Sequence, residues 1–112
     1  MHEMKLQPEY YDYILKGTKR IEIRLFDEKR KQINLGDTIT FFKEPECKES
    51  FTVKVIGLLR YQTFEELFKH FDISILADKS MSKEQLINVL EQFYTKEKQN
   101  QYGVVGIEVE IL

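Results

Sequence analysis

GTKRIEIR, residues 17–24, contains the change of period from which the fold is read. Before it, Pro8 suits the first turn of a helix, where its missing N–H is no loss. Tyr10, Tyr11, Ile14 and Leu15 then recur at helical spacing, and Gly17 reads as the C-terminal cap. From Arg20 onward the period is two: Ile21, Ile23 and Leu25 fall on one face of a strand, and Arg20, Glu22 and Arg24 on the other. Phe26 follows the charged parity, so the polar face is not open to water along its whole length. The helix directs the negative end of its dipole at the basic start of this strand.

Working outward, EMKLQ (3–7) is a short strand with Met4 and Leu6 inward. After the charged loop DEKRKQ, Leu35 to Thr38 signal a turn, and Ile39 and Phe41 face the core of the next strand. SFTVKVIGLLRY (50–61) places Phe51, Val53 and Val55 on one parity, with Pro45 and Cys47 in the loop before it. TFEE (63–66) and SKEQ (82–85) both carry the capping-box pattern. They introduce helices whose stripes, Phe64, Leu67, Phe68 and Phe71, then Leu86, Val89, Leu90 and Phe93, read as core. YGVVGIEVEIL (102–112) closes the chain as a half-buried strand with Val105, Ile107, Val109 and Ile111 inward. The order is strand, helix, three strands, two helices, strand, with loops too short for most parallel crossovers. The expected fold is α+β: a small, mostly antiparallel β-barrel of five or six strands, closed or nearly closed, with flanking helices.

A chain of 112 residues is the size of one domain, and residues 1–112 are expected to form one. Hydrophobic residues make up 42%, with eight Phe and six Tyr, which argues against disorder. No apolar run approaches the roughly 20 residues of a membrane helix, and MHEMKLQPEY lacks the plan of a signal peptide, so a cytoplasmic location without membrane contact is expected. Cys47 is the single cysteine and His2 and His70 are the only histidines; no group has metal-ligand spacing, and neither metal nor cofactor is expected. The net charge of −2 is unevenly spread, because residues 16–31 hold seven basic against three acidic side chains. Such a patch either steers an anion to one surface or merely solvates a loop.

Alternate residues of a strand stand about 6–7 Å apart, so Arg20, Glu22 and Arg24 form a ladder in which Glu22 reaches either arginine. Lys19 swings toward the same mouth where the chain leaves Gly17. A charged ladder of this kind protects an edge strand from aggregation, or it lines a binding cleft. The string Gly17-Thr18-Lys19-Arg20-Ile21-Glu22-Ile23-Arg24, directly after a helix ending Ile14-Leu15-Lys16, resembles the G-x-K-x-x-E-x-R signature of the ASCH domain family, a branch of the PUA-like barrels. Leu35-Gly36-Asp37-Thr38-Ile39 and Tyr102-Gly103-Val104-Val105-Gly106-Ile107 resemble its following turn and closing strand. The resemblance implies a cleft for RNA or a nucleotide-like ligand, lined by Gly17, Thr18, Lys19, Arg20, Glu22, Arg24, Tyr61 and Tyr102. The residue chemistry agrees: Arg24 forks onto phosphate or a base edge, Lys19 is a point charge, and Glu22 accepts from an exocyclic amine. Tyr10, Tyr11, Tyr13, Tyr61 and Tyr102 are candidates for stacking on bases, or for the core and its rim.

One branch of that family resembles an amidohydrolase for N4-acetylcytidine, built on a lysine, a threonine three positions on, and a glutamate before the second long helix. Here the lysine matches Lys19, the threonine position holds Glu22, and the glutamate falls near Asp78 or Lys79. If the protein is an enzyme, Lys19 and Glu22 are the catalytic candidates, with Asp78 as a third. A carboxylate beside Lys19 favours its ammonium form, which opposes that mechanism. Two further readings are a metal-independent ribonuclease, for which no histidine lies near the motif, and a protein-interaction module using the acidic second half and loop 43–50.

Overall fold

A computed structural model describes residues 2–112; Met1, the first position of the expected domain, lies outside the described residues. Five strands form one sheet: β1 (His2–Leu6), β2 (Ile21–Leu25), β3 (Thr38–Lys43), β4 (Ser50–Tyr61) and β5 (Val104–Ile111), in the order β1-β3-β4-β5-β2. All neighbours are antiparallel except β1 and β3, which run parallel with Met4 opposite Phe41. Loop lengths do not reveal that pairing, because its crossover is made by a helix and a whole strand rather than by one loop. The sheet curls into a half-barrel, which places β1 and β2 at its two edges. A β-bulge between Val55 and Gly57 interrupts the register of β4 against β5.

The helix α1 (Pro8–Leu15) begins with proline in its first turn and ends where Gly17, at φ +88°, lets the Thr18 and Lys19 amides both reach the Tyr13 carbonyl. Tyr11 and Ile14 are buried, whereas Leu15, expected in the stripe, is exposed. A short 3-10 turn, Arg30–Gln32, interrupts the charged loop. Four helices separate β4 from β5, not two: α2 (Phe64–Phe68), α3 (Ile73–Leu76), α4 (Lys83–Phe93) and α5 (Lys96–Tyr102). Thr63 caps α2, which stops before Phe71, and Ser82 and Gln85 form both halves of the capping box on α4.

Two hydrophobic cores lie on opposite sides of the sheet. Inside the curl, Met4, Leu6, Tyr11, Ile14, Ile39, Phe41, Val53, Val55, Val105, Ile107 and Val109 pack together. Outside it, Ile21, Ile23 and Leu25 of β2 pack with Phe64, Leu67, Phe68, Leu76 and Leu86 of the helices. The isoleucine face of β2 therefore meets the helical layer. Its charged face turns into the curl, with Glu22 opposite Ile107 and Arg24 opposite Val105. β5 is likewise covered on both faces rather than half-buried, with its end, Ile111, left exposed. Gly106 is required there: a β-carbon would lie 2.9 Å from Ile21 Cγ2 and 3.2 Å from Leu67 Cδ1. Phe26 packs against the inner core, as its parity suggested, and the Arg60 guanidinium lies 3.8 Å over its ring.

Candidate functional site

A cavity of about 520 Å³ opens where the two edge strands β1 and β2 approach and the second half of α4 leans over them. Its lining includes Lys19, Glu22, Ile23 and Arg24 from the signature, Met4, Lys5 and Leu6 from β1, and Tyr10 from α1. The far wall is Leu86, Val89, Leu90, Phe93 and Tyr94. Lys29 and Arg30 of the charged loop, with Glu3, Gln7, Phe42 and Glu44, complete it.

The three charged residues of the signature converge. Glu22 is buried and its two carboxylate oxygens are divided between two cations, Oε2 accepting from Arg24 Nε at 2.7 Å and Oε1 lying 3.5 Å from Lys19 Nζ. Burial alone would raise the Glu22 pKa, but Arg24 and Lys19 together hold its carboxyl below the usual carboxylate range. Arg24 spans the gap between the sheet edges, donating through Nη2 to the Lys5 carbonyl at 2.9 Å, and it also faces the Tyr94 hydroxyl. Burial works against its charge, yet Glu22 holds its pKa above the usual value. Among the described residues β1 and β2 share no backbone ladder, and this guanidinium makes a polar link across the seam.

Lys19 is nearly inaccessible. Its ammonium donates to the Ile21 carbonyl and, at 2.6 Å, to the Leu76 carbonyl at the C-terminal end of α3, where the helix presents its negative pole. The Arg20 amide bonds Ile75 O one residue earlier, so the start of β2 is fastened to α3 twice. Burial pushes the Lys19 pKa down, and the Glu22 carboxylate pulls it back up. With two carbonyls and a carboxylate around Nζ, each of its three protons has an acceptor.

Lys19, Glu22 and Arg24 are thus brought together, while other expected site residues lie elsewhere. Arg20 is exposed, precedes β2 and is not in the cavity lining, so the ladder has two rungs and not three. Gly17 and Thr18 form the turn behind Lys19 without lining the cavity. Tyr61 stacks on His70 with centroids 5.1 Å apart, and Tyr102 is exposed at the end of α5; neither reaches the cavity. Asp78 accepts from the amide and hydroxyl of Ser80 and is also outside the lining. Of the tyrosines proposed for stacking, Tyr10 alone lines the cavity; Tyr11 packs edge-on to Phe51 in the inner core and Tyr13 edge-on to Tyr10. Burial raises the Tyr10 pKa, which keeps its hydroxyl protonated.

The reading from sequence missed the α4 wall, Tyr94, Arg30 and Lys5. The stripe Leu86, Val89, Leu90, Phe93 does begin in the core, but Phe93 ends it 54% exposed at the cavity. Helical spacing marks a face and not what the face meets. The basic density of residues 16–31 did signal Lys29 and Arg30, though not their placement.

A two-sided β2 carrying a buried cation–carboxylate–cation trio into the mouth of a curled sheet defines a class of small α+β domains. The ASCH domain model matches residues 4–112, and the chain belongs to that family. It is similar to the solved structure of hypothetical protein PH0355, at 42% identity and TM-score 0.86, covering 98% of this chain and 97% of that one. It is also similar to protein PF0455 from Pyrococcus furiosus, at 37% identity and TM-score 0.76, covering 99% and 96%. A point mutant of ZmASCH from Zymomonas mobilis shares the fold, at TM-score 0.68 and 15% identity, covering 96% of this chain and 67% of that one. No curated protein matches.

Proposed function

We propose that the cavity binds an unpaired nucleobase, presented by RNA or by a nucleotide-like molecule. One observation carries this reading: Lys19, Glu22 and Arg24 are held in a preformed recess, on a strand buried on both faces, with aromatic rings around them. The volume lies within the range of about 300–1,000 Å³ usual for small-molecule sites. Apolar side chains predominate on the α4 wall, while Arg24 and Glu22 supply convergent hydrogen-bonding groups. Tyr10, Phe42, Phe93 and Tyr94 are the aromatic rings of the lining available to a base. The cavity lining carries five basic against three acidic side chains, a local excess on a chain of net charge −2 that suits a ligand carrying phosphate. Membership of a family generally proposed to bind RNA adds to this support.

The test is titration of a short single-stranded RNA into wild type and Arg24→Ala, read by fluorescence anisotropy, with circular dichroism and thermal melts showing that both are folded. Wild type should bind with an affinity that falls as salt rises, since counterions leave the phosphates on binding, and Arg24→Ala should bind less tightly. Equal affinity of two folded proteins would overturn the reading.

The acylcytidine hydrolase reading keeps one supporting observation, the burial that pushes Lys19 toward its free amine. Against it stand the three acceptors around Nζ, which favour the ammonium, and Asp78, which is engaged with Ser80 outside the cavity. Acetate released from N4-acetylcytidine above a heat-killed control would establish hydrolysis instead of binding alone.

A further inference from the structure

We propose that the Arg30 side of the cavity holds a phosphate group of the ligand, so that the site takes nucleotides in preference to nucleosides. The proposal rests on the nucleobase reading and adds to it a second contact point. Among the described residues, Arg30 Nε is the side-chain nitrogen or oxygen that is buried with no hydrogen-bond partner. A buried donor without an acceptor is costly, and its presence in a cavity lining points to an acceptor that arrives with a ligand. The remainder of the guanidinium is lightly held: Nη1 lies 3.2 Å from one oxygen of Asp27, a partly exposed carboxylate whose other oxygen accepts the Arg30 amide. A change of rotamer toward the cavity would exchange that contact and an orphaned N–H for a forked pair with phosphate oxygens.

The surrounding charges favour an anion here and not at the cavity floor. Lys19 and Arg24 are already committed to Glu22 and to backbone carbonyls. Lys5 and Lys29, the other basic groups of the lining, make no ion pair among the described residues. Glu3 and Glu44 of the same lining oppose an anion, which leaves Arg30, with its unused N–H, as the group expected to decide phosphate affinity.

The test follows backbone amide shifts by NMR during titration with UMP, uridine, AMP, adenosine and inorganic phosphate, for wild type, Arg30→Gln, Arg30→Lys and Lys31→Gln. Lys31 lies next in the same turn, pairs with Glu28 and is absent from the cavity lining, so its variant removes the same charge without the contact. Monophosphates should bind wild type and Lys31→Gln about tenfold more tightly than their nucleosides, the value of one charge-assisted hydrogen bond. Arg30→Gln should abolish that ratio while keeping nucleoside affinity, and Arg30→Lys should restore part of it. An unchanged ratio in Arg30→Gln, or a parallel loss in Lys31→Gln, would overturn the proposal. Equal binding of nucleosides and monophosphates to wild type would overturn it and leave the nucleobase reading standing. Binding of inorganic phosphate alone, or of no probe, would overturn the proposal, and the RNA titration decides the nucleobase reading separately.

Discussion

Glu22 neutralises one of its two neighbouring cations at a time in charge terms, yet it orders both. A buried ion group of this kind adds little net stability, because desolvation offsets attraction, but removing one member leaves the others uncompensated. Glu22→Gln is therefore expected to destabilise the fold by about 3–5 kcal/mol in urea denaturation at neutral pH. The pH dependence has a definite sign. The folded-state pKa of Glu22 is depressed, so its contribution is complete above the unfolded value of about 4.3 and is lost as pH falls through the lower folded value. Denaturation midpoints measured between neutral and acidic pH should fall steeply in wild type and less steeply in Glu22→Gln. Equal slopes would show that other carboxylates dominate. At this scale the sequence was largely legible, since Glu22 and Arg24 lie two apart on a strand and must share a face. The Lys19 partner Leu76 lies 57 positions away, and no local pattern records such a contact.

Elements with apolar periodicity were the readable ones. α1, β2, β3, β4 and β5 all show a period that survives into the fold, and the caps at Thr63 and Ser82 stand where their hydroxyls were expected. α5 escaped because its sequence, KEKQNQY, has no apolar stripe. It docks through a polar side chain instead: buried Gln99 accepts from the Phe64 amide at 3.0 Å and donates to the Tyr94 carbonyl at 3.1 Å. α3 escaped because four residues make little more than one helical turn, too few for a period to repeat. Gln99→Leu keeps the bulk but strands both backbone groups, and an unsatisfied buried group costs about 1–3 kcal/mol. A drop of that order in chemical denaturation is expected. Because Gln99 holds the carbonyl of Tyr94, a residue of the cavity wall, ligand affinity should fall with it. Unaltered stability would show that α5 is held by something else.

The molecule as a whole separates its stability from its candidate site. The two cores on either side of the sheet are built mainly from side chains that do not line the cavity, whereas Phe93 lines it while remaining 54% exposed. Phe93→Ala should consequently change stability by no more than about 0.5 kcal/mol, the usual range for surface substitutions. The same change should weaken binding of single-stranded RNA by the value of one stacked base, about 1–3 kcal/mol. Parallel melts and anisotropy titrations separate the two effects, and unchanged affinity would remove Phe93 from the site.

Composition, period and caps belong to stretches of fewer than a dozen residues, and through them the chain by itself determined its strands, most of its helices, the turn at Gly17 and the shared face of Glu22 and Arg24. Which way that face turned was decided only in three dimensions. An alternating strand reads identically whether its polar side meets water or the mouth of a curled sheet, and the choice depends on the helices that claim the isoleucine side. The same holds for Arg30 and the end of α4, which reach the cavity through the curl of the sheet and the packing of elements far apart in the chain.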